Sequence, residues 1–564
     1  MNMSFGKVMV KIIVLLLLLG YGCVSNHSNK PNENGEVDKS ISSIHIQIDN
    51  HDWDCINKDR LYCGNVDVRI LNKEGGIEYE GMAELKSRGN STWNAAKKPL
   101  TLKFPKKEAL FGLERGKDFT LLANSFDESF IRNTIAFEVS RCVGLPAPYY
   151  EYVSLFVNDE YKGLYQMVNK VDVGVDGIHI ANLNKRNKIV NDKELKDYPV
   201  FSIGDSSSIA QKKGLDLEFD PDDVTGGYLL DVTDIPDSYL KSCSGFVSDC
   251  GTMVRIKSPE RASRKEGDYI SELFSEMEAA LMDSAGNNPV TGKHYSDYLD
   301  VESFARYYLV QELVMNADAG LCSFYVYKDV DSLDGKFYAG PVWDFDYALN
   351  TPRWQGLWLC ENEMFAEAST GYGTGGLLYY LCLHDDFRKR VRDLYVGGAM
   401  LVVDSLAQSS CWDSLFVCLK GEAERDFGLY PDYRQSKSYK TAFERARGFL
   451  AKRAEFLKWV WSADMDDVVC VKCVTDDKMP FLVFERMVRF YGSKEEGVIL
   501  PKFEYYHPKA IKAKTPQWYY PGTNHRISRR HRFTENQIVE LRWNKPTLPE
   551  KMVRGIKRLL KRKK

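Results

Sequence analysis

The chain has 564 residues, of which 44% are hydrophobic and 12% aromatic, enough for one large core or for two lobes with an extension. Its formal net charge of −3 excludes a strongly charged chain as a whole but hides an asymmetry, because residues 466–564 contain 23 Lys and Arg against 11 Asp and Glu. An acidic body therefore carries a basic C-terminal region, which is either a solvated surface or a surface that binds a partner.

The N-terminus predicts an export signal over residues 1–23. Lys7 and Lys11 precede or interrupt an apolar stretch that ends in LLLLLGYGC and is too short to predict a membrane span. The final GYGC is similar to a bacterial lipoprotein processing site, so we expect cleavage before Cys23 and lipid on its sulfur; an ordinary signal peptide is the alternative. Residues 24–43 are polar and predict a disordered tether. The expected location is the bacterial cell envelope, with the chain lipid-anchored at the outer membrane or the periplasmic face.

The first part of the body is predicted to be rich in β-strands. Strands are predicted at residues 44–49, 66–71, 77–85, 99–104 and 119–124. A helix is predicted over residues 127–143, where apolar residues recur at spacings of three and four and Gly144 follows. Residues 153–157 and 163–168 flank an Asn-Asp turn as a hairpin. This sheet and helix together predict an N-terminal lobe.

The second part is predicted to contain more helix. Residues 172–225 are polar and irregular, and we expect a variable insertion or an exposed loop there. Strands are then predicted at 228–232 and 253–257, and helices at 266–283, 301–316 and across most of 386–460. Strands first and helices later are typical of a two-lobed α+β enzyme. We expect residues 44–465 to form one domain, followed by a basic, aromatic region of unknown fold at 466–564.

Residues 316–349 combine three carboxylates with a predicted hairpin. Asp318 follows the helix predicted at 301–316, and Asp344 and Asp346 lie in the apolar run WDFD. Protein kinases use a similar layout, in which a loop Asp orients the attacking hydroxyl and a second Asp beside a Phe holds magnesium. An unpaired carboxylate in apolar surroundings is costly, which favours a cation or metal partner for Asp344. The alternative is that these are structural turn residues.

Several motifs accompany this stretch, and they occur in the order RGNSTWNAAKKP, FTLLANSFDESFIRN, VSLFVNDEYKGLYQMVNKVD, GGYLLDV and GPVWDFDYA. Together they resemble the spore coat protein H (CotH) kinase family over roughly residues 45–460. The resemblance implies an atypical two-lobed protein-kinase-like fold, with a β-rich N-lobe and a helical C-lobe. It also implies ATP, Mg²⁺ or Mn²⁺, and phosphorylation of Ser or Thr on protein substrates.

The resemblance implies roles for the residues around WDFD. Asp318 would be the catalytic residue that accepts the substrate hydroxyl's proton, and Asp344 would bind the metal. Asp346 would be a second metal ligand or would brace the loop by hydrogen bonds. Ser323, the fifth residue after Asp318, stands where the family usually has a metal-binding Asn. Its hydroxyl is a poorer ligand than an amide carbonyl, which puts the second metal position in question.

Nucleotide binding is assigned to Arg88, Asn90, Ser91 and Lys98. Arg88 would reach the phosphates because the following Gly permits close approach; a purely structural turn is the alternative. Lys98, with Lys103 as the alternative, would be the strand lysine on the α- and β-phosphates. Asp231, where the family tends to have Glu, is its ion-pair candidate. Arg132 of the FIRN motif would buttress the lobe or contact phosphate.

Three functions remain open from the sequence. One is an exported, lipid-anchored CotH-like Ser/Thr kinase acting on exported proteins. The second is a catalytically degraded, kinase-shaped binding or envelope-structural protein, favoured by Ser323, by Asp231, and by Asn169 where relatives often carry an acidic residue. The third is an adhesion or envelope-assembly module that uses the basic tail. No hydrolase motif of the G-x-S-x-G or H-E-x-x-H type occurs.

The last fourteen residues, 551–564, form a basic amphipathic pattern that suits an anionic lipid or glycan, whereas nucleic acid is not expected. A solvated tail is the alternative. Export makes disulfides possible, and Cys55 with Cys63 and Cys243 with Cys250 are candidate pairs.

Overall fold

The structure is a computed structural model that describes residues 41–59, 63–89, 91–113, 115–170, 172–174, 177–204, 209–233, 235–316, 318–320, 322–351, 363–364, 376–431, 435–475, 487–500, 515–528 and 530–544. The predicted signal peptide, Cys23, nearly all of the tether, Asn90 and the basic tail at 551–564 lie outside the described residues.

The first part of the chain forms a closed seven-stranded barrel in the order β1-β2-β3-β4-β5-β7-β6. Its strands are β1 (Ser42–Gln47), β2 (Cys63–Leu71), β3 (Ile77–Ser87), β4 (Leu100–Glu108), β5 (Gly116–Leu122), β6 (Tyr150–Val157) and β7 (Glu160–Asn169). The predicted strands here are confirmed. The barrel closes because β1 pairs antiparallel with β2 and parallel with β6. Alternating apolar residues fill the interior, where Phe104 and Phe119 meet edge to face at 5.8 Å between ring centroids.

Two helices interrupt the barrel strands: α1 (Asn50–Lys58) and α2 (Arg132–Val143). The predicted helix over 127–143 is confirmed as α2, but it begins later because Asp127 accepts backbone hydrogen bonds from Ser129 and Arg132 and fixes a turn first. The helix ends at Gly144, whose φ of 87° is the left-handed conformation that glycine adopts without strain.

A second, seven-stranded sheet follows in the order β14-β13-β10-β12-β11-β9-β8, with all neighbours antiparallel. Its strands are β8 (Val200–Ile203), β9 (Lys212–Leu215), β10 (Tyr228–Thr233), β11 (Gly245–Val247), β12 (Met253–Ser258), β13 (Phe324–Lys328) and β14 (Phe337–Ala339). The expectation of an irregular loop at 172–225 is wrong in part, because this segment contributes α3 (Leu183–Val190), β8 and β9. Both strands have only four residues, too few for a periodic signal in the sequence.

The helices of this part are α4 (Pro236–Leu240), α5 (Arg264–Met282), α6 (Tyr295–Tyr298), α7 (Val301–Val314), α8 (Leu377–Leu381), α9 (Asp385–Leu394), α10 (Met400–Ala407), α11 (Cys411–Leu429) and α12 (Tyr439–Ser462). The mostly helical prediction for 386–460 is confirmed. Helix α7 contacts both α2 and α12. Arg453 of α12 pairs with Glu312 of α7 at 2.8 Å, with both side chains fully buried. Helix α7 therefore lies at the centre of the packing and delivers the chain to Asp318.

The C-terminal region contributes four strands to a five-stranded sheet in the order β15-β17-β16-β19-β18, and β15 comes from the preceding part of the chain. The strands of this sheet are β15 (Glu363–Met364), β16 (Val468–Thr475), β17 (Met487–Ser493), β18 (Thr515–Tyr519) and β19 (Gln537–Asn544). Its buried residues, including Val471 and Val539, belong to the same apolar core as the helices. Among the described residues, no helix is both long and apolar enough to span a membrane. Cys55, Cys63, Cys243 and Cys250 are free, so neither candidate disulfide is formed.

Candidate active site

The segment after β14 carries Asp344 in a constrained backbone conformation. The φ of Asp344 is 67°, and that of Ser323, just before β13, is 56°. Residues other than glycine rarely adopt this left-handed conformation, which costs on the order of 1 kcal/mol or more at each position. The surrounding structure must therefore hold both residues in place, as is frequent at functional sites.

Helix α2 holds the Asp344 segment from one side. The Phe345 N–H donates to Asn133 Oδ1 at 2.9 Å, and Arg132 Nε donates to the Ala348 carbonyl at 2.7 Å. The Arg132 guanidinium also pairs with the buried Asp127 carboxylate. Because Arg132 is fully buried and its contacts lie in this network, the FIRN motif acts as the buttress of the WDFD segment, one of its two predicted roles.

Three other predicted site residues meet around Asp344. Ser323 Oγ donates to Asp344 Oδ2 at 3.2 Å, and the Asp346 carboxyl lies within hydrogen-bonding reach of Asp344. Burial, and then the Asp344 charge, raise the pKa of Asp318 to about 7. Burial raises the pKa of Asp346 well above its usual range, and the charges of Asp344 and Asp318 raise it further. These carboxylates repel one another in a poorly hydrated site, so a bound cation would stabilise their charged forms.

Three residues of this cluster are partly exposed to solvent. Protein surrounds the carboxylates of Asp318 and Asp344 on most sides. Asp318, Ser323 and Asp344 are half-buried, whereas Asp346 is only 7% exposed. Asp344 is therefore more exposed than Asp346, which is the most buried carboxylate of the cluster.

The donor set fits magnesium or manganese bound together with phosphate. Within the described part of the chain, no three His, Cys, Asp or Glu side chains come close enough to hold a metal ion by themselves. Mg²⁺ commonly uses only one or two carboxylates and completes its octahedron with water and substrate phosphate oxygens. Asp344 and Asp346 supply two such carboxylates, with the Ser323 hydroxyl beside them.

Arg88 approaches the same cluster from the end of β3. Its guanidinium lies 5.7 Å from the ring centroid of Trp343, and its Nη1 is buried without a hydrogen-bond partner. Burial lowers the pKa of Arg88, while the charge of Asp344 acts in the opposite direction. At Gly89 (φ 100°) a Cβ would lie 2.4 Å from Thr92 Oγ1, so the turn requires glycine. The fold thus brings RGNSTW and WDFD together, about 250 residues apart in sequence.

Asp231 forms an ion pair, but with Arg255 rather than with Lys98. The two residues are directly opposite each other on β10 and β12, and Tyr325 is opposite Asp231 on the other side, on β13. Burial raises the pKa of Asp231, and the charges of Arg255 and then of Lys257 oppose this rise. The sequence analysis missed Arg255 and Lys257; the only signal was two cations on one face of an otherwise ordinary strand.

Lys98 is engaged locally. Its Nζ donates to the Trp93 carbonyl at 2.7 Å and lies 4.1 Å from the centroid of the Trp93 ring. The neighbouring Lys97 is the buried lysine, and it pairs with Asp426 of α11 at 2.6 Å. Lys103, the alternative strand lysine, is 40% exposed and lies 3.9 Å from Glu84. Neither Lys98 nor Lys103 is paired with Asp231.

The two other predicted nucleotide ligands, Asn90 and Ser91, follow the Arg88 turn in sequence. Asn90 lies outside the described residues, and Ser91, of which only the backbone is described, begins a 3₁₀ turn over Ser91–Asn94. Asn169 ends β7, and its side-chain oxygen accepts a hydrogen bond from the Tyr149 N–H at 3.1 Å.

The barrel, the second sheet and the carboxylate cluster are accompanied by a family match. The model of the family described as CotH kinase protein matches residues 85–457, well over half of the chain. The chain therefore belongs to the CotH kinase family, and it is a kinase-like protein. No curated protein matches it.

Proposed function

We propose that this chain is an exported, lipid-anchored protein kinase that transfers the γ-phosphate of ATP to Ser or Thr of exported proteins, using Mg²⁺ or Mn²⁺. The observation that supports this most strongly is the meeting of Asp318, Ser323, Asp344 and Asp346 with Arg88 in one partly open site. These residues span more than 250 positions of sequence, and the family match alone does not show that they lie close together in the fold.

The chemistry assigned to each residue follows from its surroundings. Asp318 accepts the proton of the substrate hydroxyl, a role that suits a carboxylate whose pKa is raised by burial. Asp344 and Asp346 hold the divalent cation, which, when bound, neutralises charge on the phosphates. Arg88 donates to phosphate oxygen through its unpartnered Nη1. Arg132 and Asn133 fix the metal-binding segment without contacting substrate.

The same proposal gives a role to each of the larger parts of the molecule. The barrel with α2 corresponds to the N-lobe, and the second sheet with α5 to α12 corresponds to the C-lobe. Cys23 carries the lipid, which holds the chain at the outer membrane or the periplasmic face, and the polar tether separates it from the membrane. The basic C-terminus contacts anionic lipid or glycan. The lobe assignments follow the order of the structural elements, and those of Cys23, the tether and the C-terminus rest on the sequence patterns.

The alternative is a catalytically degraded, kinase-shaped protein that binds a partner at the cell envelope. Ser323 favours it, since a hydroxyl hydrogen-bonded to Asp344 stands where an amide ligand would complete a second metal position. Asp231 also favours it, because its partner is Arg255 rather than a phosphate-binding lysine of the barrel.

Phosphotransfer from [γ-³²P]ATP decides between the two. Residues 24–564 are incubated with envelope proteins as acceptors, in parallel with Asp318→Asn and Asp344→Ala, and with Asp385→Asn as a control for loss of one exposed carboxylate. The kinase proposal predicts labelled Ser or Thr that both site variants abolish and the control retains. ATP binding without transfer under every acceptor and metal condition would favour the degraded form.

A further inference from the structure

Strand β12 presents two cations beside the carboxylate cluster. Arg255 and Lys257 are two residues apart and therefore share one face of the strand. Arg255 is directly opposite Asp231 and pairs with it, and Tyr325 is opposite Asp231 on the neighbouring strand. Burial raises the pKa of Tyr325, and the charges of Asp231, Arg255, Arg88 and Asp344 also act on it. The face of the second sheet that carries Arg255 therefore adjoins both the Arg88 turn and the metal-binding segment.

The positive charges on this face are not fully compensated. Lys257 is exposed and forms no hydrogen bond or ion pair with any residue that the structure describes, while Arg255 and Lys170 both repel its ammonium. Asp231 and, more weakly, Glu260 attract it, but the Asp231 carboxylate is already paired with Arg255. Three cations, Arg255, Lys257 and Lys170, therefore share two carboxylates, and this surplus of positive charge favours the binding of an anion.

Three buried polar atoms at this point also lack partners. They are Arg88 Nη1, Arg255 Nε and Asp231 Oδ1. An unsatisfied buried donor costs about 1–3 kcal/mol, so two unpaired guanidinium N–H groups in one place indicate a missing acceptor. Phosphate oxygens are the acceptors that guanidinium groups bind best, since they accept several charge-assisted hydrogen bonds at once.

We propose that Arg255 and Lys257 of β12, together with Arg88, hold the polyphosphate of the nucleotide, and that Asp231 is a positioning residue that orients Arg255. That the ligand is a nucleotide rests on the proposed function. That the ligand is an anion follows from the β12 cations themselves. Lys257 thereby takes the place that the sequence analysis gave to Lys98, whose ammonium is bound by the Trp93 carbonyl.

The test measures binding rather than activity. Isothermal titration of residues 24–564 with ATP, AMP and inorganic tripolyphosphate is carried out with and without Mg²⁺, for wild type, Lys257→Met and Lys98→Met. Lys265→Met removes one exposed charge elsewhere on the surface and is the matched control. We expect Lys257→Met to raise the Kd for ATP and tripolyphosphate roughly ten- to a hundredfold, and that for AMP much less, because a charge-assisted contact is lost.

Further measurements separate a loss of binding from a loss of folding, and the anion site from the nucleotide function. Lys257 is exposed, so Lys257→Met should unfold at the wild-type temperature, and Arg255→Lys, which keeps a positive charge beside Asp231, provides a second variant with the same expected direction. Unchanged binding in Lys257→Met, or loss in Lys98→Met alone, overturns the inference while leaving the kinase proposal intact. Tripolyphosphate binding that depends on Lys257, without ATP binding, supports the anion site and contradicts the nucleotide function. Binding of neither ligand by wild type contradicts both.

Discussion

Replacing Asn133 by Ala should disable the site without touching any substrate. The Asn133 side chain accepts the Phe345 N–H at 2.9 Å, and Phe345 is fully buried. Without this acceptor a buried donor is left unsatisfied, which costs about 1–3 kcal/mol of folding free energy. The ends of the segment stay anchored, since the Val342 N–H donates to Pro146 at 3.1 Å and the Leu349 N–H to Val314 at 2.7 Å. The displacement is therefore confined to the residues around Asp344.

The consequence for activity should exceed the consequence for stability. A shift of the Asp344 carboxylate by about 1 Å is enough to lower kcat on the order of a hundredfold, and a higher Mg²⁺ concentration should be needed for half-maximal rate. Urea unfolding and phosphotransfer over a Mg²⁺ titration measure the two effects.

Asn191→Ala is the matched control for this variant. Asn191 is 5% exposed, against 3% for Asn133, and its side chain likewise accepts a backbone N–H, that of Phe219, at 3.1 Å. The Asn191 side chain also donates to the Asn187 and Phe219 carbonyls, so the control should lose at least as much stability, yet keep its phosphotransfer rate and Mg²⁺ dependence. If Asn133→Ala loses stability but transfers phosphate like the control, Asn133 does not position Asp344 and the reasoning is refuted.

Two further predictions concern folding. Arg453→Met removes the cation that pairs with the fully buried Glu312 carboxylate and should cost about 3–5 kcal/mol in urea unfolding, whereas adding Glu312→Gln should restore part of the loss; equal losses in both proteins would contradict this. Burial raises the pKa of Glu266 from 4.5 to about 7, so the folded state retains a proton that the unfolded state releases. The resulting stabilisation is complete below pH 4.5 and is lost as pH rises through 7. The unfolding free energy of wild type relative to Glu266→Gln should therefore fall by about 3 kcal/mol between pH 4.5 and 8, and a pH-independent difference would contradict the assignment.

Much of the fold could be predicted because the barrel strands are long and alternate clearly. The strands at 44–49 and 77–85 have the two-residue period of a half-buried strand, and α2 has the helical one. Closure of the barrel could not be predicted, since the parallel pairing of Ile44 with Leu155 joins segments more than a hundred residues apart. Periodicity identifies elements but not their distant partners.

The candidate site could also be predicted only in part from the sequence. The carboxylates of WDFD stand out because charge in an apolar run is costly, and Arg88 stands out beside a glycine turn. Arg255 and Lys257 do not, because alternating charge and apolar residues in MVRIKS is what any half-exposed strand contains. Lys97 and Lys98 are adjacent in sequence, and only the fold reveals that Lys97 is the one buried against Asp426.

The central claim is that Asp344 and its neighbours bind a divalent cation together with a nucleotide, and Mn²⁺ electron paramagnetic resonance tests it most directly. Free Mn²⁺ is titrated with residues 24–564 in the presence of a non-hydrolysable ATP analogue, and Asp344→Asn is compared with the exposed-site variant Asp385→Asn. The account predicts that wild type and the exposed-site variant bind Mn²⁺ in a nucleotide-dependent manner and that Asp344→Asn does not. Equal nucleotide-dependent binding by all three proteins would contradict it.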